Sequence, residues 1–308
     1  MHLALPGFLR LQPCPSPESL NLSFPLWPVG ALLGSLVSLS IGTSFAKSLF
    51  PAVGAGGTTL YRLVFATLML MVLWRPWRQR WTWADAVPLS LYGVNLGVMN
   101  LLFYNAIKTI PFGLAIAIEF TGPLAVALWH SRQASDLLWV ARAVLGLGMI
   151  LPMPGAHGAL DPMGIGFALA AGACWALYIV FGQRVAKRYG TLATPMGMLA
   201  AALVVTPFGL YEAGSALLDT QWLVAGLAVA LLSSAVPYTL EMVALKHLPK
   251  NTFSILLSLE PAVGAVAGWI VLAERLSTGQ WAAMGFIICA SMGSAWSAGR
   301  QTANTTSQ

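Results

Sequence analysis

Residues 111 to 129 read PFGLAIAIEFTGPLAVALW. Within these 19 residues the side chains are apolar, small or weakly polar, except for the single ionisable group of Glu119. A helix of about 20 mostly apolar residues spans the hydrocarbon core of a bilayer. The segment therefore predicts a transmembrane helix that carries a carboxyl group near the middle of its length.

The composition extends this interpretation to the rest of the chain. Of its 308 residues, 57% are hydrophobic and only 8% are charged, and the mean hydropathy is +0.75. An ordinary soluble domain carries about a quarter of its residues as charged side chains, because its surface faces water. The composition excludes a water-soluble enzyme and predicts an all-α polytopic membrane protein.

Ten apolar segments have lengths that match a hydrocarbon core of about 30 Å at 1.5 Å per residue. They are residues 28–46, 57–74, 84–105, 111–129, 137–152, 162–182, 193–211, 221–243, 252–272 and 279–297. Residues 1–26 contain five prolines and lack the continuous apolar core of a signal peptide. We expect them to form a flexible cytoplasmic arm.

The distribution of cations predicts the orientation. If the amino terminus is cytoplasmic, 11 Lys and Arg residues fall in inner segments and 3 in outer loops, namely Lys47, Lys108 and Arg275. Cytoplasmic loops of membrane proteins carry the excess of Lys and Arg. Both termini are therefore predicted to be cytoplasmic, which requires an even number of helices.

A short sequence repeat predicts an internal duplication. Residues 106–111, AIKTIP, recur as residues 244–249, ALKHLP, with an offset of 138, and the same offset places Pro123 on Pro261. Each half would then hold five helices, and an odd number forces the halves into opposite orientations. Inverted repeats with a site near the bilayer midplane are typical of secondary transporters. We expect one five-helix repeat over 27–156, a second over 157–298 and a cytoplasmic tail over 299–308.

Two glutamates are the first candidates for a functional site. Glu119 and Glu260 are both predicted near mid-depth, each close to a helix-interrupting proline. An ionisable group at the centre of a membrane helix costs about 2.5 to 3.5 kcal/mol, so such a group is a functional candidate by default. These carboxyl groups could bind a proton or a substrate ammonium group. Alternatively, each is a buried side chain that only forms hydrogen bonds between helices.

Arg62 lies five or six residues inside the second span and has two interpretations. Its guanidinium could pair with a carboxylate, including a substrate carboxylate, or it could extend outward to the membrane interface. Asn100 and Tyr104 share a spacing that is compatible with one cavity-facing side of the third span, although polar contacts between helices would give the same pattern. The full set of candidate binding residues is Glu119, Glu260, Arg62, Asn100, Tyr104, Glu241, Tyr238 and Trp175.

The sequence lacks the motifs of several other chemistries. No glycine-rich phosphate loop is followed by Lys and Ser or Thr, and the histidines and cysteines do not have metal-ligand spacing. The cations lie singly between apolar runs, which does not form the basic face that nucleic acids bind. We expect no cofactor, no metal and no nucleic acid, with energy supplied by a gradient or a separate subunit.

Several segments together form a recognisable set. They are residues 46–51 (AKSLFP), 119–128 (EFTGPLAVAL), 172–176 (GACWA), 182–184 (GQR), 237–242 (PYTLEM), 260–262 (EPA) and 291–294 (SMGS). From about Trp27 to Ser297 the chain resembles the amino-acid exporters in the EamA group of the drug/metabolite transporter superfamily. It departs from them in its longer proline-rich arm and in Arg142 within a span.

The resemblance implies ten helices in two inverted five-helix halves within the inner membrane. It also implies export of small hydrophilic amino acids of the threonine and homoserine type, driven by the proton-motive force, through alternating access. The first two alternatives are an exporter of other metabolites or drugs and a membrane-embedded enzyme. A non-transporting sensor is a third, but it would usually carry a soluble domain.

Overall fold

The computed structural model describes residues 26–130, 135–150, 160–248 and 250–306, and within these ranges it is all-helical without a strand. The helices are α1 Leu26–Ser48, α2 Phe50–Trp74, α3 Trp83–Thr109, α4 Phe112–Glu119, α5 Thr121–His130, α6 Ser135–Ile150, α7 Pro162–Tyr189, α8 Ala193–Ala213, α9 Thr220–Ala230, α10 Val236–His247, α11 Lys250–Leu257, α12 Glu260–Leu272 and α13 Thr278–Thr306.

Seven helical segments are long and apolar enough to cross a membrane in the described part of the chain. Two shorter apolar segments, Phe112–Val126 and Leu138–Met149, fall at the fourth and fifth predicted spans. The all-helical class agrees with the sequence, whereas the count of ten membrane-crossing helices and their orientation stay predictions. The proline-rich arm lies almost wholly outside the described residues, and α13 continues through the predicted tail to Thr306.

Many large apolar side chains are exposed on the outside of the bundle. Examples are Leu91 at 65%, Leu203 at 66% and Ile270 at 70% exposure. A soluble monomer rarely exposes extensive apolar patches, because water disfavours them. In a membrane protein this surface faces lipid.

Three helical runs are interrupted, and a proline follows each break. The break at Phe120 separates α4 from α5, and the break at residues 258–259 separates α11 from α12. Between α9 and α10 a π-helical turn covers Leu231–Ala235. Proline has no N–H to bond the carbonyl four residues earlier. Pro123, Pro237 and Pro261 therefore leave the carbonyls of Glu119, Ser233 and Leu257 without the usual helical donor.

Ion pairs connect helix termini at both ends of the bundle. At the first, which we call the Lys47 end, Lys47 bonds Glu274 at 2.6 Å and Lys108 bonds Glu212 at 3.2 Å. At the opposite Asp85 end, the start of α3 meets the end of α7 through Asp85 and Arg188, whose atoms lie 2.9 Å apart. The same helix ends were predicted to share a side of the membrane.

The broken helices also follow the predicted repeat. An offset of 138 carries α4 onto α11 with identical bounds. The residue after each preceding helix is extended, with φ −119° and ψ 154° at Ile110 and φ −94° and ψ 142° at Leu248. Ile110 accepts a bond from Lys47, whereas Leu248 packs on Leu32 and Val29 in the first half of α1. The two copies of this corner therefore lie at opposite ends of the bundle, and the inverted duplication itself stays a prediction.

Candidate functional site

A cavity of about 290 Å³ lies inside the bundle and is lined by residues of α1–α4, α7 and α10–α12 and by Ser233, between α9 and α10. Seven of the eight predicted site residues line it, although they are spread over almost 200 residues of sequence. They are Arg62, Asn100, Glu119, Trp175, Tyr238, Glu241 and Glu260. The eighth, Tyr104, is fully buried behind the cavity wall, where its hydroxyl lies 3.5 Å from Arg62 Nη1.

The guanidinium of Arg62 is fixed by neutral groups. Its Nε donates to Ser234 Oγ at 3.2 Å, Nη1 to Asn100 Oδ1 at 3.1 Å, and Nη2 to the Ser233 carbonyl at 3.1 Å. Among the described residues no carboxylate forms an ion pair with it. Arg62 therefore neither extends outward nor pairs with a carboxylate of the described residues, and the binding of a substrate carboxylate stays a prediction. A guanidinium has five N–H donors, and one on Nη2 remains for a ligand.

The local geometry of the π turn explains why Arg62 is held here. Ser233 and Ser234 lie within this turn, and Pro237 lacks the N–H that would bond the Ser233 carbonyl. π turns inside helices occur frequently at functional sites. Helix α1 fixes the same segment, because Ser38 Oγ donates to the Leu232 carbonyl at 2.8 Å and Ser35 Oγ to the Pro237 carbonyl at 3.0 Å.

Three carboxyl groups share this cavity with the single guanidinium. Glu119 is the last residue of α4 and is 7% exposed, Glu260 is the first residue of α12, and Glu241 lies on α10. The first two lie where a helical run is interrupted, at the end of α4 and at the start of α12, instead of within a continuous helix. The cavity thus presents a fixed positive group and several groups that can carry negative charge or a proton.

Close helix packing positions Glu119. A Cβ added at Gly122 would lie 1.9 Å from the Gly172 carbonyl oxygen, and one added at Gly172 would lie 2.7 Å from that of Glu119. Because neither glycine has a side chain, α5 and α7 approach closely, and the break between α4 and α5 packs directly on α7. Next to it, the rings of Phe120 and Trp175 meet edge to face at 5.3 Å.

The polar residues of α3 have different environments. Asn100 lines the cavity, whereas Asn95 Nδ2 donates to the Cys174 carbonyl of α7 at 2.8 Å and Asn105 bonds its own helix at Leu101. The sequence left two interpretations of the polar residues on this helix, namely that they face a cavity or that they form polar contacts between helices. Asn100 shows the first and Asn95 the second.

The sequence analysis missed several cavity residues. Ser40, Thr43, Tyr178 and Ser233 also line the cavity, and Tyr178 bonds Tyr92 with a hydroxyl distance of 3.0 Å. A signal for the first two was present, because hydroxyl residues recur along the otherwise apolar α1 at positions 35, 38, 40, 43 and 44. The described residues contain no cluster of three or more His, Cys, Asp or Glu that could hold a metal ion.

The cavity is bordered at the Lys47 end by contacts that depend on Glu274. Its Oε1 accepts from Lys47, and its Oε2 accepts from the N–H of the cavity-lining Phe112 at 2.8 Å. Glu212 plays a similar part, since it accepts from Lys108 Nζ and from the Gly56 N–H at 2.5 Å. Each carboxylate joins a lysine at the carboxyl end of one helix to backbone near the start of another.

Comparisons with known proteins give a consistent result. The model of the EamA-like transporter family matches residues 162–296. The threonine/homoserine exporter RhtA of Escherichia coli strain K12 is 50% identical over 279 residues, which are 90% of this chain and 94% of that protein. The protein of the same name from Salmonella typhimurium strain SL1344 is 49% identical over 271 residues, 88% of this chain and 92% of that protein.

A solved crystal structure shares the fold. It has a TM-score of 0.57 over 89% of this chain and 99% of that chain, at 18% sequence identity.

Proposed function

The chain belongs to the EamA-like transporter family, together with the threonine/homoserine exporters, and from this premise we propose that it exports small amino acids of that type by proton-coupled alternating access. It is a multi-pass protein of the inner membrane, with seven described segments long enough to cross the bilayer. The proposal concerns the substrate, the coupling ion and the movement.

The observation that carries the proposal is the presence of opposite charges in one cavity. An amino acid at neutral pH has a carboxylate and an ammonium group a few ångströms apart. Arg62 offers an N–H and a positive charge, with no ion pair to a carboxylate of the described residues, and Glu119, Glu241 and Glu260 line the same space. Its volume of about 290 Å³ is at the lower end of the range for small-molecule sites, about 300 to 1,000 Å³.

In the proposed bound state the substrate carboxylate bonds Arg62, because a guanidinium forms strong, directional bonds with carboxylates. The substrate ammonium group bonds Glu119 or Glu260. Asn100, Ser233 and Ser234 act as positioning residues, since their bonds fix the guanidinium before the substrate arrives. Such preorganisation lowers the entropy cost of binding.

Three ion pairs between described residues suggest how access could alternate. Each joins a residue before position 110 to a residue after position 180: Lys47 to Glu274, Lys108 to Glu212, and Asp85 to Arg188. They therefore join the two predicted repeats, two pairs at the Lys47 end and one at the Asp85 end. In inverted-repeat transporters one half rocks against the other around a fixed site. We propose that the pairs at one end separate while those at the other persist.

Proton coupling follows from competition at the carboxyl groups. A carboxylate that has bound a proton no longer forms an ion pair with an ammonium group. The groups that face this part of the cavity are Arg62 from α2, Tyr178 from α7, and Tyr238 and Glu241 from α10. Protonation of Glu119 or Glu260 from outside would release the amino acid, and loss of the proton to the cytoplasm would restore the site.

The test of the substrate is efflux from cells. Cells that overproduce the protein are loaded with threonine or homoserine, and the external amino acid is measured over time. Cells producing Arg62→Ala, which lacks the proposed carboxylate-binding group, serve as the control at equal amounts of membrane protein. We expect faster efflux with the wild type only. Equal efflux from both would contradict the proposal, and a panel of other metabolites and drugs would then identify the cargo.

A further inference from the structure

One cavity wall contains a hydroxyl group without a partner. Ser40 is 1% exposed, lines the cavity, and its Oγ makes no hydrogen bond with the described residues. Several other buried hydroxyls on helices bond the carbonyl four residues earlier, as in Thr59, Thr67 and Ser233. A buried polar group without a partner is unfavourable, so each such group in a folded protein needs an explanation.

A second hydroxyl lies on the same face of α1. Thr43 follows Ser40 by three residues and also lines the cavity. Residues three apart on a helix share a face, about 4.5 Å apart along the axis. Ser44 is fully buried, and its Oγ, like that of Ser40, has no partner among the described residues. Unlike Ser40 and Thr43, however, Ser44 does not line the cavity.

Both hydroxyl side chains line the same cavity as Arg62. The same helix packs closely on the π turn at Gly42, where an added Cβ would lie 2.6 Å from the Ser233 nitrogen. The Ser233 carbonyl is the group that accepts from Arg62 Nη2. A ligand whose carboxylate bonds Arg62 therefore has its side chain within reach of α1.

We infer that Ser40 and Thr43 form a subsite for the side-chain hydroxyl of the transported amino acid. This inference rests on the proposed function, whose substrates both consist of 2-aminobutyrate with one added hydroxyl, at the β carbon in threonine and at the γ carbon in homoserine. A serine or threonine hydroxyl both donates and accepts. Two of them about one helical turn apart can serve a substrate hydroxyl at either carbon.

The subsite would determine specificity. An amino acid with an apolar side chain would leave Ser40 without a partner, and sites built to bond a substrate hydroxyl strongly reject analogues that lack it. The protein should therefore prefer threonine and homoserine to 2-aminobutyrate, which has the same backbone groups and carbon chain.

The experiment measures this preference in membrane vesicles that contain the wild type, Ser40→Ala, Thr43→Val or the control Ser44→Ala. Transport of labelled threonine, homoserine and 2-aminobutyrate is compared within each preparation, so differences in the amount of folded protein cancel. We expect the wild type to prefer the hydroxyl amino acids at least about tenfold, a typical effect of one unpaired polar group. Ser40→Ala should lose most of this preference, Thr43→Val part of it, and Ser44→Ala none.

The outcomes separate this inference from the proposed function. If the wild type transports none of the three amino acids, the proposed function fails, and the subsite fails with it. If it transports threonine but also 2-aminobutyrate equally well, or if Ser40→Ala and Thr43→Val keep the wild-type preference, the subsite is wrong while amino-acid export stands. Loss of preference in Ser44→Ala to the same extent as in Ser40→Ala would also contradict it, since that result indicates a general effect on α1.

Discussion

The Arg62 guanidinium donates to the Ser233 carbonyl at 3.1 Å, a bond from α2 to the carbonyl that Pro237 leaves without its usual donor. Among the described residues that line the cavity, the one Lys or Arg side chain is thus bound to an interruption in another helix. This relationship makes the position of the charge sensitive to the backbone of the π turn. It leads directly to two predictions.

Replacement of Arg62 by lysine should weaken substrate binding. An ammonium group keeps the charge but cannot form the planar set of bonds to Ser234, Asn100 and Ser233. We expect KM for threonine to rise roughly 10- to 100-fold, which corresponds to the loss of one or two directional hydrogen bonds. Arg142→Lys is the control, because Arg142 lies against Trp139, outside the cavity wall. An equal effect of both substitutions would show that Arg62 has no special part in binding.

Pro237→Ala should reduce transport without destabilising the fold. Alanine restores an N–H four residues after Ser233, and this donor would compete with Arg62 for the Ser233 carbonyl. We expect an unchanged or higher Tm, because proline inside a helix is unfavourable, together with a roughly tenfold loss of transport. Wild-type transport in Pro237→Ala would mean that the freed carbonyl does not position Arg62.

Gly42 should be required for the contact between α1 and the π turn. An alanine Cβ there would lie 2.6 Å from the Ser233 backbone nitrogen, whereas nothing lies within 4 Å of one at Gly30 on the same helix. Overpacking against backbone costs about 1 to 3 kcal/mol. We expect Gly42→Ala to lower Tm by several degrees and to reduce transport, and Gly30→Ala to do neither. Thermal unfolding of the purified variants in detergent measures the first effect.

Asp161, just before α7, gives a pH prediction outside the membrane. The Thr109 side chain and the N–H groups of Met163 and Gly164 bond its carboxylate and lower its pKa below the ordinary 3.8. A carboxyl group with a lowered pKa stabilises the fold above its unfolded pKa, and this contribution is lost as the pH falls through the folded pKa.

The Tm of the wild type should therefore exceed that of Asp161→Ala at pH 7, and the difference should shrink as the pH falls below 3.8. Asp161→Asn, which keeps a side-chain acceptor at the helix start, should show a smaller difference. A difference that does not change with pH would rule out the charge of Asp161 as its cause.

Much of the helical architecture could be predicted from the sequence because it follows from local patterns. The burial of Glu119 within an apolar helical run follows from the residues around it, and the breaks near Pro123 and Pro261 follow from the missing N–H groups. Lys47 and Lys108 could be predicted to lie at the same end because successive spans run in opposite directions. Their partners Glu274 and Glu212 lie more than 100 residues away, so no local pattern identifies them.

The details of the site depend on packing between distant segments. The π turn at Leu231–Ala235 adds residues to a helical turn without changing the apolar pattern, so sequence periodicity does not reveal it. Ser40 has the same residue type as Ser38, yet Ser38 bonds the Leu232 carbonyl while Ser40 lines the cavity without a partner. Two residues apart, they lie on different faces of α1, and the packing of distant segments determines which face meets the π turn.

The central claim is that Glu119 and Glu260 couple protons to amino-acid movement in the Arg62 cavity. The most direct measurement is uptake of labelled threonine into inside-out membrane vesicles, with and without an imposed pH gradient, for the wild type, Glu119→Gln and Glu260→Gln. We expect a gradient that is acidic inside to accelerate wild-type uptake several-fold, and at least one glutamine variant to exchange threonine at a rate independent of the gradient. If both variants still respond to the gradient as the wild type does, the coupling role of these glutamates is contradicted.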